Sequence, residues 1–213
     1  MRTLILVDVQ NDFCPGGSLP VKEGDRIVPV INRLQGAFDL VVATKDWHPK
    51  DHSSFAVNHG KNPGEVVTLP GGIEQVLWPA HCLQDSVGAE FVPGLETAKL
   101  AKIVYKGVDR AIDSYSGFFD NGRRRATGLE PFLKERGVKE VFVVGLATDY
   151  CVKWTALDAA SLGFKTTVVL DACRGVDLKA GDTDRALEEL RKAGVSLRTS
   201  AEVLAGLAPE GKR

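Results

Sequence analysis

The chain has 213 residues, 44% of them hydrophobic, and this length fits one large domain better than two small ones. Its 27 basic and 28 acidic residues leave a formal net charge of −1, which favours neither a nucleic-acid partner nor attraction to an anionic membrane surface. The four cysteines are widely scattered without CxxC spacing, which argues against a disulfide framework and favours the reducing cytoplasm. We therefore expect a single cytoplasmic domain over 1–213 that acts on a small molecule.

Short apolar runs alternate with amphipathic stretches along most of the chain. Runs that are apolar on both faces are typical of parallel strands covered by helices, and they predict strands at 4–9, 40–44, 103–105, 141–145, 166–170 and 195–197. The amphipathic stretches between them predict helices at 24–34, 128–136, 151–162 and 182–193. This alternation indicates an α/β protein with three α/β/α layers, doubly wound around a mostly parallel sheet of about six strands.

One long segment departs from this alternation. Residues 49–93 are rich in Gly, Pro and His and show no clean period. Because long irregular segments inside a compact domain usually carry function, we expect 46–93 to be an inserted loop region that contributes metal and substrate contacts. The polar tail 209–213 is expected to fray and to carry no function.

Three residues with chemical potential follow predicted strands. Asp8 closes the first apolar run, Lys106 closes the third, and Cys151 lies beyond the fourth at the start of a predicted helix. Ligands of open α/β sheets bind at the carboxyl ends of the strands, and the first turn of a helix favours a thiolate. Each residue has a structural alternative as a loop anchor, a solvated lysine or an inert thiol. Together an acid, a cation and a thiol are what covalent catalysis requires.

A second group begins at KDWHPKDHSSF, directly after the second apolar run. Side chains alternate along a strand, so Asp46 and His48 should point the same way. His81 in LWPAHC would complete two imidazoles and one carboxylate, a set that suits zinc or iron and leaves positions open for water or substrate. His52 is a candidate fourth ligand or a partner of a ligand. The alternative is that these histidines only hydrogen-bond backbone groups, which is the interpretation we keep for His59.

Five motifs in fixed order cover nearly the whole chain: DVQNDFCPGGSL, TKDWHPKDHSSF, LWPAHC, KGVDRAIDSYSGFFDN and GLATDYCVKWTALDA. Together they resemble the nicotinamidase/pyrazinamidase enzymes of the isochorismatase-like cysteine hydrolases. The resemblance implies Asp8 as general base and acid, Lys106 as the ion-pairing residue that supports the thiolate, and Cys151 as nucleophile. It also implies one divalent ion, zinc or iron with manganese as a further candidate, held by the matching residues Asp46, His48 and His81, whereas the role matching His52 varies within the family.

The resemblance extends to the substrate-binding groups. It implies a cis Leu146–Ala147 peptide bond and an oxyanion hole formed by the backbone amides of Ala147 and Cys151. Five residues resemble pocket walls that sandwich a flat aromatic ring, namely Phe13, Leu19, Trp78, Tyr115 and Tyr150. Their alternative interpretation is that of plain core side chains, which is strongest for Tyr115 and Leu19.

The activity that the resemblance implies is hydrolysis of nicotinamide, and of pyrazinamide, to the acid and ammonia in NAD salvage. A related cysteine hydrolase of N-carbamoyl or ureido substrates is the alternative. The metal-ligand residues count against a metal-free isochorismatase, and the complete set of Asp8, Lys106 and Cys151 counts against a catalytically silent binding protein. The sequence leaves the oligomeric state open, a homo-oligomer included.

Overall fold

A parallel β-sheet organises the protein, which is described here by a computed structural model covering residues 1–207. The described residues contain eight strands: β1 (Arg2–Val7), β2 (Leu40–Asp46), β3 (Val66–Leu69), β4 (Ile73–Val76), β5 (Leu100–Lys106), β6 (Glu140–Leu146), β7 (Lys165–Arg174) and β8 (Ser196–Arg198). Six of them form one sheet in the order β5-β2-β1-β6-β7-β8, with every neighbouring pair parallel. The other two, β3 and β4, pair as an antiparallel hairpin. The predicted fraying of 209–213 lies outside the described residues.

Helices follow most strands of the sheet. They are α1 (Val28–Gln35), α2 (Leu129–Glu135), α3 (Lys153–Ser161), α4 (Asp182–Lys192) and α5 (Ser200–Leu207). A π-helical turn, Thr148–Val152, leads directly into α3. The glycines that follow α3 and α4, Gly163 and Gly194, have φ of 88° and 80°, a conformation that glycine adopts without a Cβ penalty and that ends the helix. Within residues 1–207 we find no helix with the length and apolar character needed to cross a bilayer.

Two apolar layers cover the two faces of the sheet. On one face Leu4 and Leu6 of β1 belong to a core with residues of α1 and α5. On the other face Ile5 and Val7 belong to a core with residues of α2, α3 and α4. This alternation along a fully buried strand confirms the predicted three-layer, doubly wound α/β fold.

The order of the strands determines where a site can form. From β1 the chain moves outward to β2 and β5, then returns to β6 on the other side of β1. The direction of winding therefore reverses between β1 and β6, and the connections leave opposite faces of the sheet there. A crevice at the carboxyl ends of these strands is the usual ligand site of such folds.

Two elements were absent from the sequence prediction. The hairpin β3–β4 lies within the segment that was predicted to be irregular. Its strands have four residues each, which is too short to display a clear alternation in the sequence. The turn between them contains Gly71 and Gly72, both with positive φ. Helix α5 was also missed, although Thr199 and Glu202 exchange reciprocal side-chain hydrogen bonds with each other's backbone amide at its start. That capping box is a sequence signal that could have predicted the helix.

Candidate active site

Asp8 lies at the carboxyl end of the central strand β1, and its carboxylate is fully buried. Its Oδ1 accepts a hydrogen bond from Thr44 Oγ1 at 2.5 Å, and its Oδ2 lies 2.8 Å from Lys106 Nζ. Thr44 precedes Asp46 by two residues on β2, so both side chains leave the strand on the same face. The neighbouring strand therefore supplies the hydroxyl that holds Asp8.

Lys106 connects the two groups of residues that the sequence analysis treated separately. Its ammonium contacts the carboxylates of both Asp8 and Asp46, donates to Ser114 O at 2.9 Å and lies 3.4 Å from Cys151 Sγ. Asp46 and Lys106 are register partners at the ends of β2 and β5. The structure thus brings Asp8, Lys106 and Cys151 together, and it adds an ion pair to Asp46 that the sequence did not indicate.

Cys151 lies in the π-helical turn after β6, and its side chain is buried. The peptide bond Leu146–Ala147 at the end of β6 is cis. Ala147 and Cys151 both line one cleft, and the carbonyl of Ala147 accepts the amides of Tyr150 and Val152 across the turn. These contacts fix the backbone that carries the sulfur.

The protonation states in this cluster follow from burial and from one shared cation. Burial raises the pKa of Asp8 to about 6 despite the opposing charge of Lys106. Burial also raises the pKa of Cys151 well above its usual value, and Lys106 only partly opposes this. Burial would raise the pKa of Asp46 too, but there Lys106 and His48 prevail and hold it well below its usual value. The resting cysteine is therefore a neutral thiol next to two carboxylates, rather than the thiolate that its position at a helix start suggested.

Asp46, His48 and His81 form a compact group of metal-binding atoms. His48 Nε2 and His81 Nε2 lie 3.5 and 3.8 Å from Asp46 Oδ2. Each imidazole has its Nδ1 at hydrogen-bond distance from a backbone carbonyl, that of Gly107 for His48 and that of Pro79 for His81, at 2.9 and 2.8 Å. Donation from Nδ1 leaves Nε2 with a free lone pair, and the buried Nε2 of His48 has no hydrogen-bond partner among the described residues. Two imidazoles and one carboxylate arranged in this way fit a divalent transition metal.

His52 lies beside this group but faces a different set of neighbours. Its ring packs on that of His48 with centroids 4.2 Å apart, and together with Asp113 the two histidines form a separate cluster of metal-binding atoms. His52 Nδ1 lies 2.7 Å from Ser54 Oγ and also accepts the amide of Ser54 at 3.3 Å, whereas its buried Nε2 has no hydrogen-bond partner among the described residues. Burial lowers the pKa of His52 to about 4, so the ring is neutral. The fourth histidine, His59, only contacts the Ser53 carbonyl near the surface.

A narrow cleft with largely aromatic walls leads to Cys151. All five predicted wall residues line it, together with Asp113 and Val176, which the sequence analysis did not single out; the five are Phe13, Leu19, Trp78, Tyr115 and Tyr150. Tyr150 meets Trp78 and Tyr115 edge-on, with ring centroids 4.8 and 5.4 Å apart. Asp46 and His81 border the same cleft, so the metal-binding group and the sulfur face one cavity.

Gln10 is a buried polar residue near the site that the sequence analysis missed. Its amide donates to the Asp46 carbonyl and accepts from the Asp46 amide, both at 2.8 Å. Because both backbone groups of Asp46 are held, the carboxylate between Lys106 and the histidines has a fixed position. Gln10 follows Asp8 by two residues just beyond the first apolar run, and this position at a strand end is the signal that could have found it.

Three consecutive arginines, at positions 123–125, lie in an irregular segment between β5 and α2. Arg123 pairs with Asp158 of α3, Arg124 donates to the Pro70 carbonyl of the hairpin turn at 3.2 Å, and Arg125 lies 3.1 Å from Asp109. The three side chains thus connect this segment to α3, to the turn of the hairpin and to the loop after β5.

Comparison with known proteins assigns the family. The model of the isochorismatase domain matches residues 2–202. The chain belongs to the isochorismatase family. This result confirms the resemblance and the fold that the five motifs implied.

Several isochorismatase-family proteins are similar over nearly their full length. The nicotinamidase of Escherichia coli is 48% identical over 205 residues, which cover 94% of this chain and 96% of that protein. A solved nicotinamidase/pyrazinamidase of Acinetobacter baumannii has a TM-score of 0.92 at 49% identity, covering 95% and 97% of the two chains. A pyrazinamidase of Pyrococcus horikoshii, solved in complex with zinc, has a TM-score of 0.77 at 40% identity, covering 93% and 98%.

Proposed function

We propose that this protein is a nicotinamidase that hydrolyses nicotinamide, and also pyrazinamide, to the carboxylic acid and ammonia as part of NAD salvage. The observation that carries the proposal is the contact of Lys106 with Asp8 and Cys151 at the end of an aromatic cleft. The nicotinamidases and pyrazinamidases among its relatives support the choice of substrate. The four cysteines, which are all free, fit a cytoplasmic enzyme.

In the first half-reaction Asp8 accepts the proton of the Cys151 thiol. With a pKa of about 6 the carboxylate is ionised at neutral pH, and a carboxylate oxygen lies within 4.8 Å of the sulfur. Lys106 contacts both groups, so its positive charge remains next to the negative charge as that charge moves from oxygen to sulfur. The resulting thiolate attacks the carboxamide carbon of the substrate.

The tetrahedral intermediate collapses when ammonia leaves. The backbone amides of Ala147 and Cys151 hold the oxyanion, and protonated Asp8 returns its proton to the departing nitrogen. A thioester between Cys151 and the acyl group remains. Asp8 then takes a proton from water, the resulting hydroxide cleaves the thioester, and the proton returns to the sulfur as the acid is released.

Substrate selection depends on the cleft and on the metal-binding group at its border. The aromatic walls pack on a flat ring and exclude bulk water. A divalent ion held by Asp46, His48 and His81, zinc or iron in our proposal, would supply a positive charge for the ring nitrogen of a pyridine or pyrazine carboxamide. His52 acts in this proposal through its contact with His48 and does not bind the ion itself.

An ammonia-release assay with nicotinamide, pyrazinamide, benzamide and ureidoacrylate tests the proposal. We expect turnover of the first two, much slower turnover of benzamide, which lacks a ring nitrogen, and none of ureidoacrylate. Cys151→Ala should lower kcat by roughly a thousandfold or more, whereas Cys173→Ala, which removes another buried thiol, should retain activity. A preference for ureidoacrylate, or full activity of Cys151→Ala, would refute the assignment.

A further inference from the structure

The hairpin β3–β4 places one polar side chain behind the walls of the cleft. Gln75 of β4 pairs in register with Val67 of β3, and its side chain is completely buried. It does not line the cleft itself and contacts neither Cys151 nor Lys106. Its Oε1 has no hydrogen-bond partner among the described residues. Buried polar groups are in most cases hydrogen-bonded, so the partners of its Nε2 indicate what the residue does.

The Gln75 amide donates to two residues that border the substrate. Its Nε2 lies 2.7 Å from the carbonyl of Val76, 3.1 Å from Tyr115 Oη and 3.3 Å from Asp113 Oδ2, so three acceptors share the two amide hydrogens. Trp78 Nε1 donates to the same Tyr115 hydroxyl at 3.2 Å. The hydroxyl therefore accepts two hydrogen bonds, one from Gln75 of the hairpin and one from Trp78.

These bonds join residues of the aromatic walls to one another and to the hairpin. Tyr115 and Trp78 are both in edge-on contact with Tyr150, so the three rings form a continuous box next to Cys151. Tyr115 lies in a loop without regular secondary structure, and its ring has no strand or helix of its own to orient it. Asp113, the other acceptor of Gln75, accepts the amide of Ser114 at 2.7 Å. The carbonyl of Ser114 accepts from Lys106, so the network extends to the catalytic cluster.

We propose that Gln75 is a positioning residue for the substrate cleft: through Tyr115 Oη it sets the width of the slot that holds the flat aromatic ring of the substrate. The proposal rests on the proposed nicotinamidase function. In this proposal the hairpin determines which ring sizes the cleft accepts, whereas the strand ends of the sheet supply the reacting groups. Loss of the amide should therefore weaken ring binding and leave the chemical step intact.

The test compares Gln75→Met, which keeps the volume and removes the donor, with Tyr115→Phe and with the double variant. Each single variant should raise KM for nicotinamide roughly tenfold with kcat within about twofold of wild type, because a buried donor or acceptor loses its partner. Because both changes break the bond between Gln75 Nε2 and Tyr115 Oη, the double variant should raise KM by less than the product of the two single effects. Thr68→Met, an exposed change in the same hairpin, should leave KM unchanged.

Several results would overturn the inference. An unchanged KM in either single variant, independent multiplication of the two effects, or a fall in kcat at constant KM would each do so. If Gln75→Met proves unfolded by circular dichroism, the KM of Tyr115→Phe decides alone. A wild-type protein that releases no ammonia from nicotinamide would instead refute the proposed function and this inference with it, so the two failures are distinguishable.

Discussion

Replacing Lys106 by methionine would test the electrostatics of the site most directly. The ammonium is fully buried and contacts the carboxylates of Asp8 and Asp46, the carbonyl of Ser114 and the sulfur of Cys151. Methionine has a similar length and no charge, so it fills the space but leaves the buried carboxylate of Asp8 without a cation.

The expected loss of stability is large. Removing one partner of a buried ion pair costs about 3–5 kcal/mol, because the remaining charge has neither water nor a counter-ion. In a domain of this size about 1 kcal/mol corresponds to roughly 2–4 °C in Tm, so the loss should amount to roughly 6–20 °C. In addition, Asp8 loses the charge that opposes the effect of burial on its pKa, so it becomes protonated near neutral pH and no longer accepts the thiol proton. We therefore expect kcat to fall by roughly a hundredfold or more.

The pH dependence of this destabilisation has a defined sign. Without Lys106 burial raises the pKa of Asp8 in the folded state still further above the unfolded value of about 3.9. The folded variant then binds more protons than the unfolded chain, and its free energy of unfolding decreases as pH rises. Thermal unfolding of the variant and of wild type at pH 5 and pH 7.5 should therefore show the larger difference at pH 7.5.

A matched control lies on the same strand. Lys102 shares a face of β5 with Lys106, is partly exposed and contacts the ring of Phe132. Lys102→Met should change Tm by only a few degrees and leave kcat unchanged. Equal stability of Lys106→Met and wild type at pH 7.5, or a difference that grows toward pH 5, would refute the reasoning.

Three further predictions concern pH, backbone geometry and metal. Below pH of about 6, kcat/KM should fall tenfold per unit, because Asp8 with its raised pKa becomes protonated; a profile flat to pH 4 would contradict this. Gly107→Ala should abolish metal binding, measured by elemental analysis, because the added Cβ would lie 2.5 Å from His48 Nδ1. Gly137 also has a positive φ but has open space around it, so Gly137→Ala should bind metal normally. Chelation and dialysis should raise KM more than they lower kcat; an unchanged KM would argue against substrate positioning by the ion.

Part of the candidate site followed from sequence because of a general property of parallel sheets. The strands of such a sheet end at a common edge, so the residues that follow their apolar runs converge whatever the details of the loops. Asp8, Lys106 and Cys151 were found in this way, and Asp46 and His48 by their spacing at a strand end. The wall residues and the cis bond before Ala147 came from the family resemblance.

Other features depended on contacts between residues that are distant in sequence. The ion pair of Lys106 with Asp46 requires the register of β2 against β5, and the bonds from Gln75 to Tyr115 require a hairpin whose strands are too short to recognise. The neutral state of the Cys151 thiol is the net result of burial against a cation shared with two carboxylates.

The sequence by itself therefore determined the α/β class, the order of the six sheet strands and of helices α1 to α4, and the chemical types available at one edge of the sheet. These follow from local periodicity and from the common direction of parallel strands. Only the tertiary structure decided which carboxylate pairs with the cation, which side chains hold the aromatic walls and where the protons reside. Those properties depend on distances and desolvation, which arise only when the segments pack together.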